Sequence, residues 1–292
     1  MEHSSTPAHA ISHPVRGEQA SAPKGEGEPF HALVPTCQDP LLPEQRRQRM
    51  AQLIQQRGAV HTRELAKALG TSMMTIRRDL KVLEQQNFLQ TTWGGAVPRN
   101  FQPHDIPYSH KATHMLAAKQ AIARAAAQLV QEDTCLVLDA GTTTLELARL
   151  LAGRRLTVVT NDLQIALVLA PHPQTTVHVT GGTIDPVSLS CIDASSLTML
   201  GSVHASLAFI GTNVWDAQRG VTTSSREKMS LKQRMMHSAE ASILLVDSTK
   251  YANYSPWHVA DLTGFTEVIT DSGLPAATRK GLLTTGVQLR IA

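Results

Sequence analysis

The stretch from Thr71 to Glu84, TSMMTIRRDLKVLE, constrains this chain more than any other. Ser72 is a strong helix N-cap, and Met73, Ile76, Leu80 and Leu83 recur behind it at helical spacing, which predicts a short amphipathic helix with a defined start. Thr75, Arg77, Arg78 and Lys81 fall on the other face, so one side can pack on a small core while the other enters a DNA groove. Asp79 stands among them, where it either resists phosphate contact or orients a neighbouring arginine. An isolated pair of arginines is more often a solvated surface. The residues upstream change that reading. Thr62 to Leu69, TRELAKAL, forms a second short helix capped by Thr62, with Arg63 in its first turn and Leu65, Ala66 and Leu69 on one side, and Gly70 breaks it. A short helix, a glycine-containing turn and a second helix with a basic outer face make a helix-turn-helix.

The charge distribution agrees. From Glu44 to Arg99 the chain carries ten Lys and Arg against four Asp and Glu, a net +6, while residues 1–43 carry −3 and residues 100–292 balance to zero. Positive charge confined to one segment is the footprint of a nucleic-acid-binding module, with the remainder serving another purpose. At 292 residues the chain is long enough for two folded domains. No apolar run reaches the length of about 18 residues that a membrane span needs, and the first 40 residues hold no apolar signal-peptide core, which implies a soluble, cytoplasmic protein. Cys37, Cys135 and Cys191 lie far apart without a CxxC pair and are expected to be reduced thiols.

Residues 1–42, rich in Ser, Pro, Gly, His and Ala without apolar periodicity, read as a disordered tail. Pro43 and Glu44 then open a helix whose Met50, Leu53 and Ile54 face inward and which Gly58 stops. After the basic helix, Phe88 to Thr92 is β-prone and runs into Trp93-Gly94-Gly95-Ala96, the pattern of a wing.

The segment RRQRMAQLIQQRGAVHTRELAKALGTSMMTIRRDLKVLEQQ, closed by Gly94-Gly95-Ala96, resembles the DNA-binding domain of the DeoR-type bacterial repressors of sugar metabolism. The family pattern has Arg and His where this chain has Thr91 and Trp93, and glycine where it has Asn87, a residue that tolerates the left-handed conformation of a helix C-cap. The resemblance implies a winged helix-turn-helix over residues 43–99 acting on double-stranded operator DNA. Arg63, Ser72, Thr75, Arg77, Arg78, Lys81 and Trp93 are its candidate DNA contacts.

Residues 100–115 are irregular, with two prolines, and read as a linker. His110 and His114 share helical spacing, but no third ligand follows, and no metal or cofactor is expected. Over residues 116–292 the texture becomes alternating α and β. The runs CLVLDA, LTVVT, TVHVT, SLAFIG, SILLVD and EVITD read as buried strands of a largely parallel sheet in an α/β domain. Ligands of such sheets bind at the carboxyl ends of strands. There the chain places Asp139-Ala140-Gly141-Thr142-Thr143-Thr144, Thr160-Asn161, Thr180-Gly181-Gly182 and Gly211-Thr212-Asn213, small and polar segments that offer N–H and O–H donors, with Lys250 as a cation. Each loop alone is an ordinary strand-to-helix turn. Four together with Lys250 describe a phosphate site.

DAGTTT, TNDLQIA, TGG, FIGT, GVTTSSREKMSLKQRMM and LLVDSTKY are similar to segments of the DeoR-type sensor domain, which itself resembles the fold of ribose-5-phosphate isomerase. The resemblance implies a phosphorylated sugar as effector, an oligomer (dimer or tetramer), and Glu227 and Lys232 as further site residues. Ser224, Ser225, Arg226, Lys228 and Met229 replace a more acidic and apolar family run. An isomerase-like enzyme, with Glu227 or Asp139 as base, is the alternative. An isomerase has no use for a basic helix-turn-helix, and no P-loop, HExxH or GxSxG pattern supports other chemistry. The sequence therefore favours a regulator with a binding pocket.

Overall fold

The computed structural model describes residues 41–86 and 88–292. The tail expected over residues 1–42 falls, up to residue 40, outside the described residues, as do Cys37 and the capping role read for Asn87. Helix α1 spans Pro43–Arg57, with proline at the first turn, where its missing N–H leaves no bond unmade. Strand β1 (Val60–His61) leads into α2 (Thr62–Ala68), and the basic helix is α3 (Met73–Gln85). The Ser72 hydroxyl accepts a hydrogen bond from the Thr75 amide at 3.1 Å, the cap that fixes where α3 starts.

Met50 and Ile54 of α1, Leu65 of α2 and Ile76, Leu80 and Leu83 of α3 close one core. Met73, expected on that apolar stripe, is instead half exposed at the first position of α3, where it borders a surface depression with Arg63 and Gly94. Strands β2 (Leu89–Thr92) and β3 (Gly95–Pro98) pair antiparallel around the two-residue turn Trp93-Gly94, and β1 pairs with the far side of β3. Gly95 is required there, since a Cβ would lie 2.3 Å from the Val60 carbonyl oxygen. The result is a winged helix-turn-helix.

Residues 100–115, expected to be irregular, contain a short helix, α4 (Tyr108–Thr113). The α/β domain follows with α5 (Leu116–Ala127), β4 (Thr134–Leu138), α6 (Thr142–Leu151), β5 (Leu156–Thr160), α7 (Leu163–Leu169) and β6 (Thr175–Val179). A small hairpin, β7 (Ile184–Asp185) and β8 (Ser190–Cys191), precedes α8 (Ala194–Leu200) and β9 (Ala205–Gly211). Then come β10 (Val214–Asp216), β11 (Gly220–Thr223), α9 (Arg226–His237), β12 (Ala239–Leu245), β13 (Trp257–Ala260), β14 (Glu267–Thr270), α10 (Ala276–Thr284) and β15 (Leu289–Ile291).

Seven strands form one sheet in the order β15-β14-β12-β9-β4-β5-β6, every pair parallel. Alternate residues feed two cores. Leu136, Leu138, Phe209, Ile243 and Leu245 face α5 and α6, while Val137, Ile210, Leu244 and Val268 face the side of α9 and Trp215. Burial on both faces is why these strands read as continuous apolar runs. The chain leaves β4 in one direction through β5 and β6, then returns to β9 on the other side of β4 and proceeds outward. The switch point therefore lies between β4 and β9, whose carboxyl ends open a crevice.

Candidate functional site

That crevice is lined by Asp139 to Thr144 after β4, Gly211 to Asn213 at the end of β9, and the side chains of Lys111, Lys228, Lys232 and Lys250. Each part is held by the ends of the strands. The Asp139 carboxylate accepts the Gly211 amide at 3.0 Å and the Lys232 ammonium, and Lys232 also donates to the Gly211 carbonyl at 2.7 Å, so one ion pair ties β9, β4 and α9 together. Asn161 accepts the Ala140 amide and Asp162 the Gly141 amide, both at 3.0 Å, which spreads the loop open ahead of α6.

The first turn of α6 then presents amides that no helical carbonyl can take. Thr144 returns its hydroxyl to the Gly141 carbonyl at 2.8 Å, while the hydroxyls of Thr142 and Thr143 have no partner among the described residues and border the crevice. Lys250 reaches in from the opposite wall, donating to the Thr212 carbonyl at 2.8 Å and lying 3.3 Å from Asp247. Burial pulls the Lys250 ammonium below the usual lysine range, against the attraction of Asp247. At the mouth, Lys228 pairs with Asp185 at 2.6 Å and with Asp105. Burial works to raise the Asp185 carboxyl, but Lys228 and Ser188 hold it down to about 2. Converging ammonium groups and free first-turn donors have the chemistry to hold an anionic group.

The second candidate surface is on the winged domain. Arg77, Arg78 and Lys81 are exposed along α3, and Trp93 stands fully exposed at the wing tip. Arg63, Arg77, Met73 and Gly94 border one shallow depression between α2, α3 and the wing. Asp79 does not belong to this face: it is buried, 2.6 Å from the Nε of Arg46. Thr91 also turns inward, giving both its amide and its hydroxyl to Glu84 at 2.7 Å.

Two family models match this architecture, the DeoR-like helix-turn-helix domain over residues 46–100 and the DeoR C-terminal sensor domain over residues 114–272. The chain belongs to the DeoR family. Among its relatives, the uncharacterized HTH-type transcriptional regulator YgbI of Escherichia coli K12 is 35% identical over 86% of this chain and 99% of that protein. A putative aga operon transcriptional repressor of Escherichia coli O157:H7 is 31% identical, covering 84% of this chain and 92% of its own. The HTH-type transcriptional repressor GlcR of Bacillus subtilis is 30% identical over 75% and 84%. A solved ribose 5-phosphate isomerase A from Methanocaldococcus jannaschii aligns over 46% of this chain and 53% of its own at 13% identity and a TM-score of 0.35. This DeoR-family chain is a transcription regulator and not an enzyme.

The residues singled out in the sequence divide in this DeoR-type sensor. Asp139, Gly141, Thr142, Thr143, Thr144, Asn161, Gly211, Thr212, Lys232 and Lys250 come together at the crevice. Thr160 lies beneath it, fully buried, its hydroxyl spent on the Leu138 carbonyl at 2.8 Å. Gly181 and Gly182 stand away from it, the latter at φ +98° with Asp193 packed where a Cβ would be, so that they shape the cap of α8. Glu227 is exposed and outside the crevice, since it flanks the inward face of α9. Asn213, read at the same strand end as Gly211 and Thr212, also borders the crevice, whereas Asp105, Lys111 and Lys228 were missed. Lys228 carried a signal, one helical turn before Lys232 on the same face. Asp105 and Lys111 carried none, for they lie in the segment read as a linker.

Proposed function

We propose that this chain binds paired operator half-sites through α3 and the wing, represses genes of carbohydrate catabolism, and is released when a phosphorylated sugar occupies the crevice of the sensor domain. The observation that carries the effector is the meeting of Lys232, Lys250 and the open first turn of α6 at the switch point of the sheet, a set of donors suited to a phosphate group. The polar lining from Asn213, Thr223 and Ser190 suits the hydroxyls of a sugar. Two of the relatives carry the name of repressor, which supports that sign of regulation.

In this reading the sensor domain oligomerises and sets the spacing of the DNA-binding units, and the effector shifts the protein between DNA-competent and incompetent arrangements by its differential affinity for the two. The test is a thermal-shift screen of phosphorylated sugars followed by titration of the operator-bound protein with each sugar that raises the melting temperature. Release of DNA at concentrations that stabilise the protein is the expected result. Stabilisation by unphosphorylated sugars alone, or turnover of ribose 5-phosphate, would sink it.

A further inference from the structure

Residues 100–113, which join the winged domain to the sensor, form part of the crevice wall. The Asp105 carboxylate accepts hydrogen bonds from Lys228 and from the Asn213 side-chain amide, and the Lys111 ammonium lies 3.7 Å away. Burial would raise the Asp105 carboxyl, but Lys111 and Lys228 outweigh it and keep the group an anion. Two ammonium groups and an amide at the mouth of the crevice are thus already engaged by a negative charge that the connector supplies, with Lys228 shared between Asp105 and Asp185.

This carboxylate sits on a segment with little slack toward the DNA-binding domain. The wing ends at Pro98, and the Asn100 carbonyl already accepts the Tyr254 amide at 2.9 Å, while the Gln102 amide donates to Tyr254 at 2.8 Å. The Phe101 and Tyr254 rings meet at 5.2 Å between centroids. Arg219 lies 4.3 Å over the Tyr254 ring and donates to the Gln55 carbonyl of α1 at 3.2 Å. Whatever moves residues 100–113 therefore acts on contacts that hold the winged domain.

We propose that Asp105 is a tethered competitor of the ligand: an anionic group entering the crevice takes Lys111 and Lys228 from it, and the connector that Asp105 holds down is released. The proposal rests on reading the crevice as the site of an anionic effector. A phosphate carries more charge than a carboxylate, and two anions cannot share one pair of ammonium groups without repulsion. The ligand then has higher affinity for the arrangement in which Asp105 has left, which is the differential a coupling requires.

The test titrates inorganic phosphate and ribose 5-phosphate into the full chain and its Asp105→Asn and Asp105→Ser variants, with hydrogen exchange followed over residues 100–113. Removing the competitor charge is expected to tighten binding by about tenfold, the worth of a charge-assisted hydrogen bond. Exchange over residues 100–113 should rise when wild type binds, and should be already raised and unresponsive in both variants. Equal or weaker binding by the variants, or slower exchange of the connector on binding, overturns the proposal, since Asp105 would then recruit the ligand. Lys250→Ala separates this failure from that of the underlying reading. If neither probe binds wild type, or Lys250→Ala binds both as wild type does, the crevice reading fails and this proposal with it. If binding depends on Lys250 but not on the charge at residue 105, only the competitor is wrong.

Discussion

The Asp79 carboxylate lies 2.6 Å from the Arg46 guanidinium, joining the basic helix α3 to α1 inside the winged domain, with Arg47 at 3.7 Å on its other oxygen. The acid of the TIRRDL motif is thus an internal tie and leaves Arg77, Arg78 and Lys81 without an acidic neighbour on the exposed face between them. Asp79→Ala would strand the poorly solvated Arg46 guanidinium, while Arg47 keeps Glu44, and is expected to destabilise the domain by about 3 kcal/mol. Urea denaturation followed by a probe in residues 43–98 measures this. A loss below about 1 kcal/mol would mean that the pair is not a structural element.

Arg77 and Arg78 are exposed and make no ion pair among the described residues, so their removal should leave stability within about 0.5 kcal/mol of wild type. Arg77→Ala or Arg78→Ala should instead weaken operator binding by about 1 to 3 kcal/mol where the side chain reads a guanine, with relaxed sequence preference. Matched-salt binding titrations on operator and scrambled DNA decide the point. Unchanged operator affinity in both variants would remove α3 from the groove.

Lys250→Ala takes a cation from the crevice and should weaken binding of the effector identified in the thermal screen by about tenfold or more, from the loss of a charge-assisted contact of roughly 1.5 to 3 kcal/mol. Thr143→Ala should act in the same direction and less strongly, because a neutral hydroxyl bond is about half as strong. DNA affinity without effector should stay near wild type in both. Identical release midpoints for the three proteins would place the ligand elsewhere.

Lys119 is almost wholly buried on α5, donating to the Lys111 carbonyl, and burial pushes its ammonium down to about 8 from the ordinary 10.5. Between those two values the unfolded chain binds the proton that the folded chain has lost, so stability attributable to Lys119 rises with pH across that window and is flat below it. Unfolding free energies of wild type and Lys119→Met, compared from pH 7 upward, should show wild type gaining on the variant as pH passes about 8. A constant difference through the alkaline range would contradict the buried charge.

The regular elements were legible because both kinds of period are strong here. Ser72 marks the start of α3 in the sequence and caps it in the structure, and CLVLDA, SLAFIG and SILLVD are apolar throughout because their strands are covered on two faces. The strand ends gave the loops of the crevice for the same reason. Cross-chain pairs were not legible. Asp105 and Lys228 are 123 residues apart, and the partnership follows from the path of the connector over the sheet, which no local pattern encodes. Thr91 shows the converse: it and Trp93 depart from the family pattern side by side in the sequence, yet the Thr91 hydroxyl is given to Glu84 of α3 while Trp93 is fully exposed, a difference that only the fold reveals.

Only Arg99 separates the last wing strand from the first backbone bond made to the sensor, Asn100 to Tyr254. A joint that short transmits torque. In the proposed pairing of two copies on DNA, neither α3 helix could then swivel independently to follow a half-site around the duplex. Operators for such a protein should therefore tolerate half-sites moved apart by whole turns far better than by half turns, and rotational phase, more than linear distance, should govern which sites in a promoter are occupied.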